Sequence, residues 1–197
     1  MAVDTALLTL DPADPELMVL QVRRADAPGW GLPGTFLHPG ERLADAVERS
    51  LQAKADVRGL RPRQLHVFDD PGRDSRGWTL SVAHVEIVPI RRLDSRRPGQ
   101  TRLAAAARPG RLRHGHGEII TRAVEHVRDR YAEQPDPGHL LGRQFTLGEL
   151  HRVHQAVAGR PLQRDGFRRL MKPLLRPTGH LITGTGGRPA ELFRRNP

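Results

Sequence analysis

Cysteine is absent from the 197 residues, which excludes a disulfide framework and every all-cysteine metal site. No apolar run approaches the roughly 18 residues that a membrane span requires. The N-terminal MAVDTALLTLDPADPEL lacks the basic start, apolar stretch and small-residue cleavage site of a signal peptide. The expectation is a cytoplasmic protein with no membrane association. Aromatic side chains are scarce at 4%, so the packed cores must rest mainly on aliphatic residues.

Acidic residues are scarce in one region. Residues 143–197 hold 11 Arg or Lys but only Glu149, Asp165 and Glu191 as acids, a net of +8. The whole chain carries +10, so nearly all the excess sits in about a quarter of it. Such an imbalance attracts a polyanion at the cost of self-repulsion. A solvated surface in an arginine-rich chain is the alternative reading.

What is present divides into two parts. From residue 2 to residue 89, short apolar runs alternate with turn signals. ALLTL (6–10), LMVLQV (17–22), LHVF (65–68) and WTLSVAHVEIV (78–88) read as strands, with a helix at about 41–55 between them. Residues 91–115 carry little pattern. A helix is predicted over about 117–131, where Ile120, Val124, Val127 and Tyr131 recur on one face. EQPDPGHLLG breaks it, and the domain boundary is placed there, giving domains 1–138 and 143–197.

The second domain reads from its spacing. Thr146 and Glu149 form a capping box, Leu147, Leu150, Val153 and Val157 line one helical face, and Gly159 ends the helix. After a short polar turn, a second helix spans about 164–172, with Phe167, Leu170, Met171 and Leu174 on its expected buried face. Pro173 kinks or stops it. Arg164, Arg168, Arg169 and Lys172 are left on the other side. HLIT and AELFR then pair around GTGGRP, a glycine-rich tip that carries Arg188 outward. Two helices, a turn and a hairpin are the parts of a winged helix-turn-helix. Arg168 and Arg169 suit base edges; Arg164, Lys172 and Arg188 suit phosphates. Each also admits the reading of a solvated cation.

Residues 30–57, WGLPGTFLHPGERLADAVERSLQAKADV, resemble the Nudix hydrolase signature: Gly, five residues, Glu, seven residues, Arg-Glu, an apolar residue, any residue, Glu-Glu, any residue, Gly and an apolar residue. In that signature the helical acids share one face and hold divalent cations against a diphosphate. Glu41 and Arg49 match. The other acids are Ser50, Ala53 and Lys54 here, the leading glycine is Thr35 and the trailing one Asp56. A lone Glu41 also reads as a helix N-terminal acid.

The whole chain is similar to the Nudix-related regulators of NAD metabolism. The shared segments are WGLPG…HPGE, DPGRDSRGW and SVAH at 70–84, HGHGEI at 114–119, and FTLGEL…GRPLQRDGFRR…PTG…GGRPAELFR at 145–194. The resemblance implies an α+β protein: a Nudix-like mixed β/α sandwich followed by a winged helix-turn-helix. It implies a homodimeric repressor of NAD synthesis or salvage genes, bound to a palindromic operator in double-stranded DNA. ADP-ribose or a related nucleotide would be its effector, with no cofactor required and no enzymatic activity. For that ligand, Arg23, Arg24, Arg73 and Arg76 suit the phosphates, and Trp30, Phe36 or Trp78 suit the base. Glu41 completes the expected binding set, while Phe36 and Trp78 also read as core. His114 and His116 beside Glu118 lack a third ligand at clear spacing, so no metal site is expected. A nucleotide-diphosphate hydrolase with a DNA-binding appendage, and a sugar-responsive Nudix-like regulator, stay open as alternatives.

Overall fold

Strand β1 (Ala2–Leu10) is buried along almost its whole length, and its alternation explains the layering of the N-terminal domain. Val3 and Leu7 join one core cluster, Ala6 and Leu8 the other, as the period-2 geometry of a strand dictates. A strand buried on both faces reads as a near-continuous apolar run, which AVDTALLTL is. The computed structural model describes residues 1–10, 15–24, 28–72, 77–182 and 189–196. Arg73, Arg76 and Arg188, expected from the sequence to meet phosphates, lie outside the described residues.

Around β1, β2 (Leu17–Arg23) pairs antiparallel and β6 (Ser81–Ile87) parallel, with Val3 opposite Val82. β5 (Arg63–Phe68) extends the sheet beyond β6; β3 (Trp30–Gly31) and β7 (Thr101–Ala105) add to β2; β4 (Gly34–Phe36) pairs the start of β1. Helix α1 (Leu43–Ala55) covers one face through Ala46, Val47 and Leu51. Helix α2 (His116–Glu133) covers the other through Ile119, Ile120, Ala123, Val124 and Val127. The result is a mixed β/α sandwich. Strand β7 falls inside the stretch that carries no sequence pattern. With arginine at its second position and mostly half-buried alanine and leucine after it, β7 offers no clean alternation to read.

In the second domain, β8 (Phe145–Thr146) leads into α3 (Leu147–Ala158), then come α4 (Arg164–Met171), β9 (Leu175–Ile182) and β10 (Ala190–Arg195). The three strands run in the order β8-β10-β9. The capping box forms as expected: Glu149 N–H donates to Thr146 Oγ1 at 3.1 Å, and Thr146 N–H to Glu149 Oε2 at 2.7 Å. Phe145, Leu150, Phe167, Met171, Leu175 and Phe193 make the core. Two expectations are corrected. Leu170 is 57% exposed, because α4 turns Phe167 and Met171 inward and leaves Leu170 outside that face. Leu174 is 38% exposed, because α4 ends at Met171 and a 3-10 turn over Lys172–Leu174 takes the chain out of helical register. The wing strand also starts at Leu175, ahead of HLIT. Pro177 is tolerated in it because β9 is an edge strand.

The domains meet through a sealed polar joint. Val153 and Val157 of α3 pack into the α2-side cluster, while Leu150 on the same helix belongs to the winged-helix core. Beside them Asp136 is fully buried. Its carboxylate accepts from Tyr131 Oη of α2 and from the Leu140 and Leu141 N–H groups, each at 2.9 Å. It also pairs with the Arg195 guanidinium from β10. Its own N–H donates to His154 Nε2 of α3 at 3.2 Å. Burial holds His154 down to about 4, so the ring stays neutral and can accept. A side chain at Gly138 would place Cβ 2.6 Å from Ile87 Cγ2 and 2.8 Å from Tyr131 Oη, so only glycine lets the link pass.

Candidate functional site

The first site is a cavity of about 620 Å3 where the N-terminal end of β1, the strands β3 and β4, the last turn of α1 and the start of α2 converge. Arg23 and Arg24 at the end of β2 line it, with Phe36 on β4 and Lys54 on α1. Asp4, Gln100, His114 and His116 complete its polar wall. Its cationic side therefore outweighs one carboxylate, and that carboxylate is engaged. Ser81 Oγ donates to Asp4 Oδ2 at 2.5 Å, and His116 Nε2 lies 3.2 Å from Asp4 Oδ1.

His116 is the pin of this site. Its Nδ1 accepts from Leu32 N–H at 3.0 Å, which leaves the proton on Nε2 to face Asp4. One ring thus ties the WGLPG loop, strand β1 and the first turn of α2 together. Gly31 allows the approach, since a Cβ there would sit 3.1 Å from that Nδ1. Within HGHGEI, His116 therefore holds elements of the N-terminal domain together, and His114 lines the cavity. Among the described residues no group of three His, Asp or Glu side chains is placed to hold a metal ion.

The remaining residues expected from the sequence lie in distinct places. Glu41 is clamped by Arg49: Arg49 Nε donates to Oε1 and Nη2 to Oε2, both at 2.7 Å. His38 N–H adds a bond at 3.0 Å to Oε2. These contacts, the Arg49 hydrogen bonds above all, hold the carboxyl down to about 2. Arg49 also donates to Thr35 Oγ1 and the Phe36 carbonyl, so the pair moulds the 35–41 loop. Trp30 stands beside the cavity between two guanidinium groups, Arg102 at 4.7 Å and Arg23 at 5.7 Å from its ring centre. Trp78 is 72% exposed, and its indole N–H donates to the Asp69 carbonyl at 3.3 Å. Sequence reasoning missed Asp4, Gln100 and the pinning role of His116. The one visible signal was an aspartate inside the largely uncharged, apolar-rich run of β1.

The second site is the exposed face of α4. Gln163 caps the helix through its side-chain carbonyl, which accepts from Asp165 N–H at 3.0 Å. Arg164, Arg168 and Arg169 are exposed, and among the described residues none has a carboxylate partner. Arg168, Arg169 and Lys172 border a shallow depression with Asp165 and Pro173. Lys172 Nζ lies 4.0 Å from Glu191, which leaves its charge open to solvent. Helix-turn-helix domains place such a second helix in the major groove of DNA.

Residues 137–195 match the NrtR DNA-binding winged helix domain. Over its full length the chain is similar to Shewanella oneidensis NrtR, solved in complex with a 27mer DNA, at 30% identity and a TM-score of 0.80, covering 100% of this chain and 93% of that one. The chain belongs to the NrtR family. Its N-terminal part is also similar to the NUDIX domain of Shewanella oneidensis NrtR solved with ADP ribose, at 28% identity and a TM-score of 0.55, covering 64% of this chain and 86% of that one. A MutT/nudix family protein from Enterococcus faecalis shares the fold at 23% identity and a TM-score of 0.78, covering 99% of this chain and 85% of that one. Membership of the NrtR family makes the C-terminal unit a DNA-binding winged helix and the N-terminal unit a Nudix domain.

Proposed function

We propose that this NrtR-family protein is a DNA-binding regulator that represses NAD synthesis or salvage genes and answers to ADP-ribose without hydrolysing it. It acts as a homodimer on a palindromic operator, in the cytoplasm where its DNA is. The observation that carries the reading is the pairing of a cationic cavity, stripped of the α1 carboxylates, with a winged helix joined to the same N-terminal domain through Asp136 and Tyr131. In ADP-ribose the diphosphate meets Arg23 and Arg24, and the base stacks on the half-exposed Phe36 at the rim. Arg73, Arg76, Trp30, Trp78 and Glu41 act around this set: the first two as further phosphate partners, the others by shaping the approach.

On DNA, Arg168 and Arg169 read base edges while Arg164, Lys172 and Arg188 hold phosphates. Ligand shifts the relative populations of two domain arrangements, and DNA affinity follows. The test has two halves. The full chain should prefer the duplex upstream of its own gene over random DNA of equal length at fixed salt. Incubated with ADP-ribose and Mg2+, it should release no AMP above the blank. Loss of the preference, or Mg2+-dependent turnover, overturns the reading.

A further inference from the structure

A divalent cation, which Nudix chemistry requires, does not fit this chain. The helical face that would present clustered carboxylates holds Ser50, Ala53 and Lys54. Ser50 is buried, its Oγ has no hydrogen-bond partner, and a neutral hydroxyl at that depth is no substitute for a carboxylate. Glu41 is committed to Arg49 and to the His38 N–H group.

A cation of the chain's own stands there instead. Lys54 Nζ reaches from the last turn of α1 to the Gly34 carbonyl on β4, and both residues line the cavity. A lysine in a last helical turn complements the dipole wherever its side chain points. The dipole therefore does not account for a bond across to a neighbouring strand. Gly34 is held in the sheet by pairing with Asp4 of β1, and no side chain fits there: a Cβ would lie 2.1 Å from Asp4 Oδ1 and 2.9 Å from the Val3 carbonyl. The ammonium is thus held on the backbone of a paired strand, on the cavity that Arg23 and Arg24 also line.

We propose that Lys54 is the resident counter-ion of the effector's diphosphate, so that the effector binds without any divalent cation. The proposal rests on the reading of this cavity as the ADP-ribose site. An ammonium is a donor three times over and holds phosphate oxygens as a point charge. It has no coordination position in which to lower the pKa of a water, which is what cleavage draws from a metal. Lys54 thus accounts for retention of the diphosphate, and with Ser50 and Ala53 in place of acids, for its survival.

The experiment is calorimetric titration of the full chain with ADP-ribose, in EDTA and in millimolar Mg2+. The wild type should bind equally in both, within about twofold. Lys54→Met should weaken ADP-ribose by roughly 10- to 100-fold, the usual loss for one charge-assisted hydrogen bond. Lys54→Arg should keep most of the affinity, and adenosine, which lacks phosphates, should ignore Lys54→Met. Binding abolished by EDTA overturns the proposal, as does a Lys54→Met protein that binds ADP-ribose like the wild type. If Lys54→Met does not fold, the EDTA comparison and Lys54→Arg decide. No binding of ADP-ribose by the wild type in either buffer removes the cavity reading itself, an outcome distinct from failure of the lysine.

Discussion

Two aspartates divide this molecule's polar chemistry between them. Asp136 at the domain joint and Asp4 in the cavity are both buried and both faced by basic side chains. Asp136 is fully enclosed: Tyr131, Arg195 and two backbone amides take up its carboxylate, and nothing is left for a ligand. Asp4 instead borders an opening of about 620 Å3 that Arg23, Arg24 and Lys54 also line. Solvent access separates the roles. A saturated polar joint is stiff and transmits displacement, whereas an open one receives a ligand.

The comparison is broken most forcefully at the joint. Asp136→Asn keeps the left-handed backbone at φ 50, which asparagine tolerates, but strands Arg195 in a buried site. Loss of about 3–5 kcal/mol is expected for Asp136→Asn or Arg195→Ala in urea unfolding. Asp4→Asn should cost less, about 1–3 kcal/mol, because cavity water can reach the site. Equal losses at the two positions would erase the distinction.

Acid sharpens it next. His154 is held down to about 4 by burial, against an unfolded value of 6.5. Its neighbours Asp136 and the Tyr131 backbone pull upward and His151 pulls downward, but burial wins. Between about pH 4 and 6.5 the unfolded chain binds the proton that the folded ring refuses, so stability falls with falling pH. The slope approaches about 1.4 kcal/mol per pH unit. His154→Gln should flatten that window in thermal melts recorded from pH 7 to 4. Glu41 acts in a different window: its folded value of about 2 lies below the ordinary 4.5, so its contribution is whole above 4.5 and fades toward 2.

The smallest effects lie at the helix ends, one in each domain. Thr146→Ala removes the α3 cap and should cost about 1 kcal/mol. Asp56 ends α1 in the left-handed region at φ 56, where the Nudix signature has glycine. Asp56→Gly should therefore raise stability by a few tenths to about 1 kcal/mol, read from the urea midpoint.

The helices were the legible part, because apolar spacing and caps act locally. Ile120, Val124, Val127 and Tyr131 sit on the buried face of α2, and Thr146 with Glu149 closes the cap of α3. β3, β4 and β7 were not legible: two to five residues with glycine or arginine among them carry no alternation, and their pairing is set by β1 and β2. Leu174 misled because the helix stops before it, and Leu170 because the buried face of so short a helix is filled by Phe167 and Met171 alone. The joint was invisible for another reason. Tyr131, Asp136, His154 and Arg195 are each ordinary in sequence, and only folding brings them together. In the cavity, substitution of the α1 acids was plain to read, whereas the direction of Lys54 depends on Gly34, twenty residues away.

The most direct test of the central claim is the anisotropy of a labelled duplex from upstream of the protein's own gene. The full chain is held on it at fixed salt while ADP-ribose is titrated, since the charge of the winged helix makes affinity depend on salt. The account predicts a sequence-specific complex whose Kd shifts by about 5- to 150-fold at saturating ADP-ribose, with the nucleotide recovered intact. A specific complex indifferent to saturating ADP-ribose would contradict it, because the cavity and the DNA face would then be uncoupled.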